Sequence, residues 1–212
     1  MDQSYKIAII GGTGKAGRHI AFAALENGYQ VRMLVRNPEK LALKDDRIEI
    51  VKGNVENVED IRNLLKGCQI VINAFGQPTK EKPIYSSVTE KILEVMADIQ
   101  IDRYLGVTGG SLTIAGDRKS ILNKIGARMF ELLYSEMMID KKKEWHILNR
   151  NKNIKWTLIR LPFIVEGKEM GLIKENLVNM PGTKITNRDI AAFMINEIEK
   201  PKYIQKAPFI SN

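Results

Sequence analysis

The sequence predicts an α/β domain built on a mostly parallel sheet. Three observations carry this. Short apolar, β-branched runs alternate along the chain with longer segments of helical periodicity. Several of those runs are apolar on consecutive positions, as strands covered on both faces are. No internal repeat, low-complexity tract or Pro/Gly-rich linker divides the 212 residues, so they read as one domain.

The expected strands are 7–10, 31–35, 48–51, 70–74, 104–107 and 156–161, each rich in Val, Ile or aromatic residues. The expected helices are 16–27, 58–65, 88–99, a long stretch within 117–150, and 188–199. Some ends are marked. Ser87 with Glu90 has the spacing of a capping box, and Thr186 with Asp189 is its acidic variant. Gly28 after Asn27 is a helix stop, and Asn37-Pro38 is placed to open a short helix. Beyond Pro162 the strand signal weakens. Gly167, Gly171, Pro181 and Gly182 suggest loops around the mouth of a site.

Composition excludes several classes. Hydrophobic residues make up 44%, too many for wholesale disorder. A chain this size buries roughly 70% of its unfolded surface and needs no staples. The one cysteine, Cys68, allows neither an intrachain disulfide nor a cysteine zinc site, which suits a reducing compartment. His19 and His146 are too few and too scattered for a histidine metal site, so no metal is expected. No apolar run reaches the ~18–20 residues of a membrane helix. The first residues lack a basic start followed by an apolar stretch, so no signal peptide and a cytoplasmic location are expected. The formal charge of +8 raises the question of a polyanionic partner.

The sharpest motif is Gly11-Gly12-Thr13-Gly14-Lys15-Ala16-Gly17, between the first strand and the first helix. It reads as G-x-x-G-x-x-G from Gly11 or as G-x-G-x-x-G from Gly12. Such a pattern is weak alone, but here it has the strand–turn–helix–strand context that gives it meaning. One glycine allows the tight turn, a second lets backbone N–H groups approach a pyrophosphate, and Gly17 lets the helix lie close to the sheet. The helix start then offers free N–H groups and a positive dipole end to the phosphates. Lys15 is followed by Ala16, so the loop is not a Walker loop. Arg36 ends the second strand, where an NAD site usually carries a carboxylate. A guanidinium there binds a 2′-phosphate, which points to NADP(H) over NAD(H).

With Leu34-Val35-Arg36-Asn37-Pro38, Gly53-Asn54-Val55, Val71-Ile72-Asn73-Ala74 and Trp156-Thr157-Leu158-Ile159-Arg160-Leu161-Pro162, the loop resembles the atypical short-chain dehydrogenase/reductases. Within these it is similar to the NmrA-like group that includes biliverdin-IXβ (flavin) reductase. The resemblance spans nearly the whole chain and implies a Rossmann sheet of order 3-2-1-4-5-6, with a short extra strand near Phe209. It implies a dinucleotide across the carboxyl ends of the strands. Thr13, Lys15 and Ala16 would join the glycines at the phosphates. Asn54 and Val55 would lie beside the adenine, although the family commonly has Asp at the first of these. Asn73, Ala74 and Phe75 would line the ribose, Thr108 the nicotinamide ribose, and Pro162, Phe163 and Ile164 the nicotinamide. Family members of this size often act as monomers, so a monomer is expected.

The Tyr-x-x-x-Lys pair of short-chain dehydrogenases is missing. None of the six tyrosines has a lysine four residues on. That lysine normally lowers the tyrosine pKa for proton exchange with a carbonyl, so a standard alcohol dehydrogenase mechanism is not expected. The expected activity is hydride transfer from NADPH to a conjugated acceptor such as a flavin, quinone or tetrapyrrole. Ser111 is the local candidate for a hydrogen bond to substrate. The alternative is a dinucleotide-binding redox sensor that reports to a protein partner. Tyr134, Lys141 and Lys142 cannot form a displaced pair at their spacing, and these lysines read as a solvated face. The apolar runs 128–134 and 137–139 read as core. Residues 107–160 hold 11 basic and 5 acidic groups, a balance of +6. The charge therefore lies on the substrate side, which suits an acidic substrate or partner and fits neither a nucleic-acid nor a membrane partner.

Overall fold

The computed structural model describes residues 5–41, 45–77 and 81–212. Along the chain run β1 (Lys6–Ile10), α1 (Gly17–Glu26), β2 (Gln30–Val35), a 3₁₀ turn (Pro38–Lys40), β3 (Ile48–Lys52), α2 (Val58–Leu65), β4 (Ile70–Asn73) and α3 (Tyr85–Asp98). There follow β5 (Arg103–Gly109), α4 (Ile121–Leu133), α5 (Ser135–Arg150), β6 (Lys155–Leu161), β7 (Phe163–Val165), β8 (Lys174–Asn176), β9 (Lys184–Thr186), α6 (Asn187–Glu199) and β10 (Phe209–Ser211).

The main sheet has the order β3-β2-β1-β4-β5-β6-β10-β8. All neighbours are parallel except β8, which runs antiparallel to β10. The 3-2-1-4-5-6 order holds, and β10 and β8 extend it. Parallel β7 and β9 form a separate ribbon in the region expected to be loops.

Alternation along the central strand divides the core in two. Ile7 and Ile9 pack with Ile20, Ala21 and Ala24 of α1 and with Ile190, Phe193 and Met194 of α6. Ala8 and Ile10 face the other side, with Ile61 and Leu64 of α2, Val88 and Ile92 of α3, and Leu148 of α5. Covering both faces is why these strands carry consecutive apolar residues.

Helix ends follow local chemistry. The Thr186 hydroxyl accepts from the Asp189 backbone N–H at 3.1 Å and caps α6. Gly28, at φ +81°, follows the α1 C-cap Asn27. The Ser87–Glu90 capping box does not form. α3 starts earlier, at Tyr85, and the Ser87 hydroxyl donates back to the Ile84 carbonyl at 3.0 Å. The long stretch 117–150 is two helices broken at Tyr134, whose φ and ψ are −133° and 47°.

Two expectations for this region are overturned. Lys141 is buried rather than solvated. Its ammonium pairs with Glu144 at 3.1 Å and lies 3.5 Å from the Tyr85 ring centroid. Met129, Leu132 and Leu133 are exposed rather than core, because α4 buries none of its side chains and turns Asn123, Ala127 and Phe130 inward instead.

Candidate functional site

The carboxyl ends of β1, β2, β4, β5 and β6 share one edge of the sheet, and β1 sits where the strand order reverses. Ligands of open α/β sheets bind in the crevice outside such a point. The loop leaving β1 is built for close approach. Gly11 has φ +74°, and a Cβ there would lie 2.4 Å from the Ala74 carbonyl oxygen. A Cβ on Gly17 would lie 2.1 Å from the Gly11 carbonyl oxygen, which the Gly14 N–H already engages at 3.0 Å. Gly17→Ala should therefore force loop and helix apart. A thermal melt should show a loss of about 1–3 kcal/mol from overpacking, and titration should show weakened dinucleotide binding. An unchanged melt and affinity would refute this geometry.

α1 opens without an acidic residue in its first turn and without a side-chain cap. Its positive end is thus left for an anion, with Lys15 exposed beside it. Gly11, Thr13, Arg36, Asn54, Val55 and Phe75 line one cleft across this end of the sheet. Arg36 is exposed and makes no hydrogen bond or ion pair with any described residue. It also lines an adjoining hollow with Gly12, Thr13 and Arg18. Arg18, which sequence reasoning passed over as part of the loop, is held by Glu166 at 2.6 Å.

Asn54 is placed by its neighbours. Its backbone N–H donates to Asp60 at 2.8 Å, and its side-chain oxygen accepts from the Glu56 N–H at 3.2 Å. Asn73 is buried, with its side chain turned inward. Its amide donates to the Tyr104 hydroxyl at 3.0 Å and its oxygen accepts from the Phe75 N–H at 3.1 Å. The asparagine thus fixes the backbone of Phe75 at the cleft wall. Behind it the Tyr104 hydroxyl lies 3.4 Å from Thr89, which donates to Glu144 at 3.0 Å. Burial raises the Tyr104 pKa well above the ordinary phenol range, so it stays protonated.

Across β5 and β6 lie Thr108, Ser111, Pro162, Phe163 and Ile164, apart from the first cleft. Among the described residues the Thr108 hydroxyl is one of five buried side-chain polar atoms without a hydrogen-bond partner, and the one of them on a predicted cofactor residue at this edge. Ser111 faces the Met138 sulfur at 3.6 Å. Phe163 is exposed, and its backbone N–H donates to the Thr183 carbonyl at 3.2 Å.

Lys119, which no motif marked, holds the loop after β5. Its ammonium donates to the carbonyls of Gly110, Ser111 and Leu112 and to the Thr113 hydroxyl, all at 3.0–3.1 Å. Burial pushes its pKa down to about 8, against the opposing pull of Asp117. Arg160 is fully buried and pairs with Asp117 at 2.8 Å, so the strand-end arginine serves the frame. A second cleft, lined by Gln77, Glu81, Lys82, Tyr85, Tyr134 and Glu136 among others, opens nearby and shares Gln77 and Glu81 with the first.

A dinucleotide fits what is present. The glycine loop lies closer to the end of β4 and to itself than any Cβ allows, so its backbone stays bare at the start of α1, and among the described residues Arg36 is a free cation at the second strand and the Thr108 hydroxyl lacks a partner. Fold and site together define a Rossmann-type dinucleotide-binding domain. The NAD(P)H-binding family model matches residues 11–201, and the chain belongs to that family. A Bacillus subtilis protein of uncharacterised function, YwnB, is 28% identical over 207 residues, covering 93% of this chain and 94% of its own. A short-chain dehydrogenase/reductase from Veillonella parvula, solved with NADP, superposes with a TM-score of 0.81 at 13% identity, over 98% of this chain and 94% of that one. A Streptococcus pneumoniae protein proposed as an NADH-flavin reductase superposes at 0.79 with 24% identity, over 99% of this chain and all of that one. These two likenesses show the fold. No helix of the described residues is long and apolar enough to cross a membrane.

Proposed function

We propose that the chain is an NADPH-dependent reductase that passes a hydride to a conjugated, flat acceptor of flavin, quinone or tetrapyrrole type. The observation that carries this is the unpartnered, buried Thr108 hydroxyl at the end of β5, where the nicotinamide ribose would supply its missing partner. The bound cofactor would supply two electrons as hydride, and the acceptor's remaining proton comes from solvent. The protein's part is placement. Gly11, Gly12, Gly14 and Gly17, with Thr13, Lys15 and Ala16, would hold the pyrophosphate, and Arg36 the 2′-phosphate. Asn54, Val55 and Phe75 would border the adenosine, with Asn73 and Ala74 setting the backbone beneath it. Pro162, Phe163 and Ile164 would border the nicotinamide, and Ser111 would offer a hydrogen bond to substrate.

The ionisable groups packed under the β5 loop are tied into the frame. Asp117 and Arg160 neutralise each other, and Lys119 is committed to loop carbonyls. The second cleft supplies Tyr85, Leu133, Tyr134 and Met137 as an aromatic and apolar wall, with Glu81, Lys82 and Glu136 also lining it, which suits a flat acceptor. The flavin-reductase assignment of the Streptococcus relative supports the same class of acceptor.

The test is a panel of flavins, quinones and tetrapyrroles mixed with NADPH and purified protein, read as loss of dihydronicotinamide absorbance. Turnover of at least one class is expected, with Tyr134→Ala raising the acceptor KM and leaving NADPH binding unchanged. Tight NADPH binding with no turnover of any acceptor would overturn the reductase reading and leave a redox sensor.

A further inference from the structure

We infer that the outer face of α4 is a self-association surface, on which a second copy of the chain packs its own α4 about a two-fold axis. The helix is amphipathic in the wrong sense for its place. At 3.6 residues per turn, Ile121, Leu122, Ile125, Met129, Leu132 and Leu133 fall within an arc of about 120°. All six are more than half exposed, Leu122 at 81%. The opposite arc, Asn123, Ala127 and Phe130, is the one turned to the body. There Asn123 donates to the Asn179 side-chain oxygen at 2.8 Å and to the Met180 carbonyl at 3.1 Å. The Phe130 ring packs against Tyr134 with centroids 4.7 Å apart. Flipping the helix inward would lose these anchors, so the stripe needs a partner from outside.

Area and backbone point to a second copy. Six large apolar side chains leave open several hundred Å², more than scattered surface residues do and on the order of the ~800 Å² each partner gives to a standard interface. The charged residues beside the stripe, Lys124, Arg128 and Glu131, share one edge, and Glu131 is already engaged within the chain by Arg128 at 3.4 Å and Lys142 at 2.5 Å. At the other edge stands Gly126, in the helix interior, where glycine costs about 1 kcal/mol relative to alanine. A Cβ there would meet nothing within 4 Å, so nothing inside the chain requires the glycine. Close approach of the partner's helix, with axes roughly 8–10 Å apart, gives it a reason.

The experiment is light scattering on the full chain across the micromolar range, beside two variants. The native chain should rise toward the mass of two chains with concentration. Ile125→Glu should stay at one chain while keeping its melting temperature, since the side chain is exposed in the isolated chain. Ile125→Cys combined with Met129→Cys should give a linked pair of chains on mild oxidation. The background is clean because the native thiol, Cys68, is buried and its pKa is pushed up to about 11. A native chain that stays at one-chain mass, with a double-cysteine variant that forms no linked pair, overturns the proposal. Such a chain would assign the face to a substrate lid if Ile125→Glu raised the acceptor KM, or to a bilayer if it bound anionic phosphatidylserine vesicles.

Discussion

Replacing Arg36 by alanine should weaken NADPH binding about ten- to a hundred-fold and leave NADH binding within a factor of about two. Hydrogen bonds to charged groups contribute about 1.5–3 kcal/mol, and each 1.4 kcal/mol is tenfold in affinity. Arg36 stands at the carboxyl end of β2 with no competing partner among the described residues, so its guanidinium is free to fork onto a phosphate. NADH lacks that phosphate and should not register the change. Arg36→Lys should recover part of the loss, because a point charge keeps attraction but not the paired geometry. Calorimetric titration of both dinucleotides against the three proteins decides the matter. Equal NADPH and NADH affinities in the native chain, unchanged by Arg36→Ala, would end the case for NADP preference.

Glu144→Ala should be the most damaging single change to the framework. Removing one partner of a buried ion pair costs about 3–5 kcal/mol, since the other charge is left without compensation. Here Lys141 would be stranded between α3 and α5, and Thr89 would lose its acceptor. For a domain this size each kcal/mol is worth about 2–4 °C, so the melting point should fall by roughly 6–20 °C. The damage should reach the site, because the chain Glu144–Thr89–Tyr104–Asn73 ends at the Phe75 N–H in the cleft wall. Glu144→Gln keeps an acceptor for Thr89 and should cost less. Lys141→Met together with Glu144→Leu removes both charges and should recover much of the stability, as apolar replacement of buried pairs does. A double variant no better than Glu144→Ala would mean that packing, not the stranded charge, sets the cost.

The sequence and the structure agree to the residue at α2, where a clean apolar period is bounded by the Asn57 cap and a C-terminal turn. They agree within three residues at the six long parallel strands, since burial on both faces writes consecutive Val and Ile into each. The glycine loop was legible because its backbone permits few substitutes. The ribbon of β7 and β9 was not, because strands of three residues carry too little period. A run of three lysines reads as surface, and although Glu144 stands only three residues beyond Lys141, the burial of the pair is set by Tyr85 and Thr89 of α3, far away in sequence. Lys119 escaped for a similar reason: its ligands are mostly backbone carbonyls, which no sequence pattern displays. The outward apolar stripe of α4 was misread as core because periodicity gives a helix its face but not the direction in which that face points.

The strand order has a kinetic consequence. Apart from β8 on β10, every pairing in the main sheet is parallel, so each neighbour is reached only through a crossover. No hairpin among the six long strands can form early and template the rest. Loop-closure entropy must be met before most contacts form, which places folding toward the slow end for a chain of this length. During that interval the outer strands lie open to pairing with other molecules. Their composition fits that hazard: exposed Glu49 and Lys52 punctuate β3, and β8 is the exposed three-residue run Lys174-Glu175-Asn176, two of them charged. Charges and brevity at the two margins of the sheet are what keep a slowly closing parallel array from growing edge to edge.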